Sequence, residues 1–193
     1  ILGIMLGIGL AFLRERFDVR IRSVEDLSAR AQLPILANIP VRSNARSVGA
    51  FFEAFRLLRT TLRFIDQADS IRSIAVTSWA EGEGKTTLAS QLALTMSASG
   101  THTLIVDGDA YRPGLQPQLV PSSTMPLEPG LSDYVLGAAP FEACLHETMV
   151  PTLDFMPPGK QVPNLSSLLE TRPGRTAFAE LRDGGEMTII DCP

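Results

Sequence analysis

The stretch "SIAVTSWAEGEGKTTLAS", Ser73 to Ser90, decides how this chain is read. It passes from a short apolar run, through a loop holding Gly82 and Gly84, into Lys85, Thr86 and Thr87 and then a helical pattern. A strand, a glycine-rich loop and a helix in that order form a phosphate cradle. The glycines let consecutive N–H groups turn inward, the helix adds its positive end, and a lysine and a hydroxyl complete the set. Lys85 is conspicuous because the chain has only one other lysine, Lys160. The usual pattern G-x-x-x-x-G-K-[ST] asks for glycine where this chain has Trp79, so the loop alone also fits a plain turn with a lysine facing solvent.

Two further strand ends favour the phosphate reading. "TLIVDGDAYRP" closes an apolar run with Asp107 and Asp109, and "MTIIDCP" closes another with Asp191. The C-terminal edge of an α/β sheet is where ligands bind. Carboxylates gathered there repel one another unless a cation lies among them, and a magnesium nucleotide supplies one. Lys85 and Thr86, Asp107 and Asp109, and Asp191 together predict a nucleotide-and-magnesium site.

The rest of the composition narrows the class. A length of 193 residues with 45% hydrophobic content and a net charge near −4 describes a globular domain with an appendage, and offers no basic excess for nucleic acid. Cys144 and Cys192 lack metal or redox spacing and read as buried small residues in a reducing compartment. His102 and His146 have no partner in the pattern and stay unassigned.

The chain opens on "ILGIMLGIGLAFL", 13 apolar residues followed by Arg14, Arg16, Arg20 and Arg22. That run is shorter than the roughly 20 residues of a span, and the basic flank suits a cytoplasmic side, so residues 1–13 are expected to be the C-terminal part of a transmembrane helix. Residues 14–46 read as a juxtamembrane segment and linker, with a capping box at "SVED" opening a short helix, a strand in "LPILANIP" and a linker in "VRSNARSVG". Residues 47–193 read as one nucleotide-binding domain. It opens with a helix whose Phe51, Phe55, Leu58, Leu62 and Ile65 share a face. Strands then alternate with helices, predicting an α/β fold of the P-loop type, a parallel sheet with helices on both faces. The segment from Pro113 to Pro129 is expected to be a long surface loop.

These residues resemble the bacterial tyrosine autokinases that are fused to, or partnered with, polysaccharide co-polymerases. "EGEGKTT" is similar to the family's Walker A, "LIVDGD" to its Walker A′ and "IIDCP" to the start of its Walker B, while "PGLSDYVLG" and "PPGKQVPNLSSLL" resemble other family segments. "EAFRLLR" matches E-x-x-R-x-x-R at Glu53, Arg56 and Arg59, which in the family lies on a helix packing between subunits of a ring. The resemblance implies ATP and Mg2+ as cofactors, with Gly82, Glu83, Gly84, Lys85, Thr86 and Thr87 holding phosphates. Thr86, Asp109 and Asp191 would serve the metal, and Asp107 would accept the tyrosine proton. It also implies a ring of subunits, a tyrosine-rich tail offered by a neighbour, a polysaccharide export machinery as partner, and a bacterial inner-membrane location with the kinase domain cytoplasmic.

Tyr111 stands where the family usually carries arginine, with Arg112 following. That position keeps open an alternative, an ATP-binding regulator of the export complex with weak or no kinase activity. A third reading, a partitioning-type P-loop ATPase, expects a lysine at the place of Ala80.

Overall fold

The computed structural model describes residues 2–17, 33–42, 44–66, 71–123, 125–162, 165–182 and 186–193. The chain forms two compact units, Ile1–Asn38 and Ile39–Pro193. In the first, α1 (Leu2–Arg16) spans 15 residues, which is about 22 Å at the α-helical rise. Among the described residues no helix is long and apolar enough to cross a membrane. The helix expected from "SVED" lies outside the described residues.

The strand expected in "LPILANIP" does not form: residues 34–40 carry no regular structure. Two prolines flank it, and a strand needs a partner to take its N–H groups. The expected linker is also shorter than its polarity suggests, because α2 (Ala45–Ile65) starts inside it. Asn44 caps that helix, its Oδ1 accepting from the Ser47 N–H at 2.9 Å while Ser47 Oγ accepts from the Asn44 N–H at 2.8 Å. Polar residues read as linker are here a capping box.

The second unit is built on a five-stranded sheet in the order β1-β5-β2-β4-β3, with β1 (Ser73–Val76), β2 (Thr103–Asp107), β3 (His146–Glu147), β4 (Leu153–Met156) and β5 (Met187–Asp191). All pairings are parallel except that of the short edge strand β3 with β4. The helices after α2 are α3 (Lys85–Ser97), α4 (Gln116–Leu119), α5 (Leu131–Val135), α6 (Leu165–Glu170) and α7 (Arg172–Arg182). Strand alternation divides the core. Leu104, Val106 and Ile190 join Leu131, Val135, Leu165 and Leu181 of α5, α6 and α7 in one apolar cluster. Ile105 and Ile189 therefore face the other way, toward α3, whose Ala89, Leu92, Ala93 and Met96 are buried. Asp107 and Asp191 share the parity of Ile105 and Ile189, so both carboxylates point to the α3 side.

Two motif segments prove to be one joint. The Leu131 N–H donates to the Pro157 carbonyl (2.8 Å), the Ser132 N–H to that of Pro158 (3.0 Å), and the buried Asp133 accepts from the Gly130 and Lys160 N–H groups. The expected surface loop is also pinned. It holds the short helix α4, and Leu115 and Leu119 are buried.

Candidate phosphate-binding site

Parallel pairing sets three strand ends side by side: Val76 of β1 lies opposite Asp191 of β5, and Asp191 opposite Asp107 of β2. The glycine-rich loop leaves β1 immediately after Val76, so the topology brings all three motifs to one edge. Gly82 and Gly84 take φ of 81° and 92°, a left-handed backbone that residues with a Cβ avoid. Lys85 is then the first residue of α3, whose first-turn N–H groups have no partner within the helix. Gly108 is required for a different reason: a Cβ there would lie 2.7 Å from the Asp191 carbonyl oxygen.

Above this edge lies an open cleft of about 610 Å³, lined among others by Gly82, Gly84, Lys85, Thr86, Thr87 and Asp109. Asp191 lies beneath it, 1% exposed, and neither of its carboxylate oxygens has a hydrogen bond of ordinary geometry. Burial raises its pKa, against the pull of the nearby Thr86 hydroxyl and the Lys85 ammonium. A buried carboxylate with both oxygens unsatisfied is costly, and a divalent cation beside Thr86 would remove that cost. Among the described residues no group of three His, Cys, Asp or Glu side chains could hold a metal by itself. The donors present suit magnesium, which takes one or two carboxylates and completes its shell with water and phosphate oxygens.

Asp107 has a different environment from the one its motif suggests. It is fully buried, and its oxygens accept three N–H groups, from Asp109 (3.1 Å), Gly114 (3.2 Å) and Leu115 (3.3 Å). It does not line the cleft; it anchors the loop that follows β2. Burial nevertheless wins over those hydrogen bonds, and with the charge of Asp191 it lifts the Asp107 pKa to about 6. Asp109 does line the cleft, its Oδ1 accepting from the Tyr111 and Arg112 N–H groups.

Glu83, expected among the phosphate-holding residues, points back into its own loop and accepts from the Trp79 and Ala80 N–H groups at 3.1 and 3.2 Å. Cys144 is buried and Cys192 half-buried, both free thiols with pKa raised by burial. His102 lies 3.6 Å from Asp154, and His146 Nε2 lies 2.9 Å from the Pro129 carbonyl oxygen, both away from the cleft lining.

Glu53, Arg56 and Arg59 do not form a common exposed stripe. Glu53 and Arg56 pair with each other at 3.1 Å on the surface. Arg59 turns toward α3, its Nη1 3.5 Å from the Thr95 carbonyl oxygen and its Nε buried without a partner. Each step of three residues rotates a helical position by about 60°, so the third residue reaches another face. Sequence reading missed a further contact, the ion pair between Glu81 and Arg112, which joins the loop after β1 to the loop after β2. Two opposite charges in separate motifs were the only signal, and nothing in the sequence alone shows that they meet.

An α/β sheet with a glycine-rich loop, a lysine at a helix start and acids at the neighbouring strand ends is a P-loop nucleotide-binding domain. No family model matches the chain. It is 31% identical over 153 residues to the tyrosine-protein kinase CpsD of Streptococcus agalactiae, covering 79% of this chain and 65% of that protein. Against the tyrosine-protein kinase ptk of Acinetobacter johnsonii it is 25% identical, with all of this chain and 28% of that protein covered. The crystal structure of the chimerical protein CapA2B2 superposes with a TM-score of 0.74 at 29% identity, over 89% of this chain and 75% of that one. The chain is thus a relative of the bacterial tyrosine kinases, as its motifs imply, and it spans just under two thirds of the length of CpsD.

Proposed function

We propose that the chain is the ATP-dependent protein-tyrosine kinase part of a polysaccharide export system. The observation that carries this reading is the buried, unsatisfied Asp191 beside Thr86 and Lys85 at the mouth of a P-loop, in a chain related to tyrosine kinases. Lys85 and the loop N–H groups hold the phosphates. Thr86 and Asp191, with Asp109 directly or through water, would hold Mg2+, which would supply charge neutralisation for the transferred phosphoryl group. Transfer breaks the bond between the γ-phosphorus and its bridging oxygen, forms one to the tyrosine oxygen and releases ADP. The phenolic proton needs an acceptor. We assign that role to Asp107, buried at the end of β2 beneath the cleft, where burial lifts its pKa to about 6.

The exposed Met5, Leu10, Phe12 and Leu13 of α1, followed by Arg14, support the reading of this segment as the end of a membrane span, with the kinase domain on the cytoplasmic side of a bacterial inner membrane. The exposed Glu53–Arg56 pair on α2, between Phe52 and Leu57, supports a ring of subunits in which a neighbour presents a tyrosine-rich tail. A second reading, an ATP-binding regulator with weak transfer, is favoured by Tyr111 at the cleft in the usual place of an arginine.

The test is transfer of phosphate from Mg·ATP to a glutamate–tyrosine copolymer. The chain is expected to label the polymer, and Lys85→Met to abolish both labelling and ATP binding. ATP binding without labelling selects the regulator. Unchanged binding in Lys85→Met rejects the site.

A further inference from the structure

The cleft contains a basic side chain that the nucleotide motifs do not account for. Glu81 and Arg112 both line it, leave 73% and 70% of their side chains exposed, and pair across it from opposite loops. The backbone beneath Arg112 is held firmly. Its N–H donates to Asp109 Oδ1 at 2.9 Å, and two and three residues on, the Gly114 and Leu115 N–H groups are fixed by the buried Asp107. A fixed base with an exposed, flexible arm lets the guanidinium change partners without moving the loop.

Charge gives it a reason to do so. Among the described residues lining the cleft, Lys85 and Arg112 are the cations and Glu81 and Asp109 the acids, with Asp191 below. A nucleoside di- or triphosphate adds several negative charges to a rim that has no net positive charge. An exposed ion pair is weak in water, whereas guanidinium and phosphate form a forked, charge-assisted contact. Glu83 does not compete, since Trp79 and Ala80 engage it.

We propose that Arg112 is a second phosphate ligand of the cleft, and that Glu81 is the resting counter-ion it leaves when a nucleoside di- or triphosphate binds. Glu81 then sets the affinity of the nucleotide-free site by holding the arginine back. The inference rests on the nucleotide-site reading above and adds to it a residue and a competition.

The experiment titrates ATP, ADP and AMP with magnesium into the full chain, read by calorimetry or by the fluorescence of Trp79, its only tryptophan and a residue of the cleft rim. Arg112→Gln is expected to weaken ATP and ADP by about tenfold and to leave AMP nearly unchanged. Glu81→Gln is expected to strengthen ATP by about threefold, and the double variant to behave as Arg112→Gln alone, because the competition has lost its object. Arg112→Lys, which keeps a charge without the fork, should fall between. Equal weakening of all three nucleotides, or unchanged ATP affinity in Arg112→Gln, overturns the inference while leaving the nucleotide site standing. A Glu81→Gln effect that persists in the double variant also overturns it. Should Arg112→Gln lose its circular dichroism melt, Glu81→Gln decides, and no gain in ATP affinity rejects the competition. A parent chain that binds no nucleotide rejects the site itself.

Discussion

Asp107 and Asp191, in the buried floor layer beneath the cleft, are 0% and 1% exposed, whereas Glu81 and Arg112 on its rim leave 73% and 70% of their side chains in water. The floor is placed by strand register: adjacent parallel strands end together, and a Cβ at Gly108 would strike the Asp191 backbone. The rim is placed by loop residues whose exposed side chains pair across the cleft. Changes at the floor should therefore act through desolvated charge and be large, while changes at the rim should act through competition in water and be modest.

The largest effect is expected at Asp191. Replacing it with Asn removes the carboxylate proposed to hold Mg2+ and should lower phosphoryl transfer to the glutamate–tyrosine copolymer on the order of a hundredfold. It also removes a buried carboxylate whose pKa is raised, so the nucleotide-free chain should melt at a higher temperature at neutral pH. A variant that loses activity and melts lower would place Asp191 in the fold's framework rather than in the metal site.

Asp107 provides the next test. The folded chain holds this proton up to about pH 6, while the unfolded chain releases it near the ordinary aspartate value of 3.8. Stability contributed by the group is present below pH 3.8 and falls as pH rises through 6, by on the order of 3 kcal/mol in all. As the proposed proton acceptor, Asp107 would act in its ionised form, so transfer should run the opposite way and rise with pH along an acid limb. Denaturant unfolding and initial rates across pH 4.5 to 8 check both, and Asp107→Asn should flatten the acid limb. An unmoved limb assigns the proton transfer elsewhere.

The smallest intrinsic effect is expected on α2, where an exposed ion pair resembles the cleft rim rather than its floor. Arg56→Glu breaks a surface pair worth about 0.5 kcal/mol and should barely change the melting temperature. If α2 packs against a second copy, the same change places like charges across a contact, and sedimentation of the variant should show smaller species than the parent. Arg59 is unsuited to this test, because its guanidinium lies against α3.

Much of the fold was legible because strands β1, β2, β4 and β5 are apolar runs bounded by turn residues, and because α3 follows directly on the glycine-rich loop. The candidate site was legible for a related reason: in a parallel α/β sheet, residues following a strand's C-terminal end converge whatever their separation in the chain. Capping was less visible. "VRSNARSVG" reads as a linker until Asn44 and Ser47 are seen to bond reciprocally, and "LPILANIP" reads as a strand until its backbone is seen to carry no regular structure.

The sequence by itself determined the local conformations that covalent geometry and pattern dictate: the left-handed turns at Gly82 and Gly84, the helix that begins at Lys85, and the acids that close β2 and β5. Only the tertiary structure decided which acid is which. Asp107 and Asp109 stand two residues apart with the same side chain. The fold buries the first among three N–H donors and turns the second into the cleft. It likewise turned Arg59 inward and brought Arg112 to Glu81. Burial and partner choice depend on what other segments bring to the same place, and a one-dimensional pattern carries no record of that.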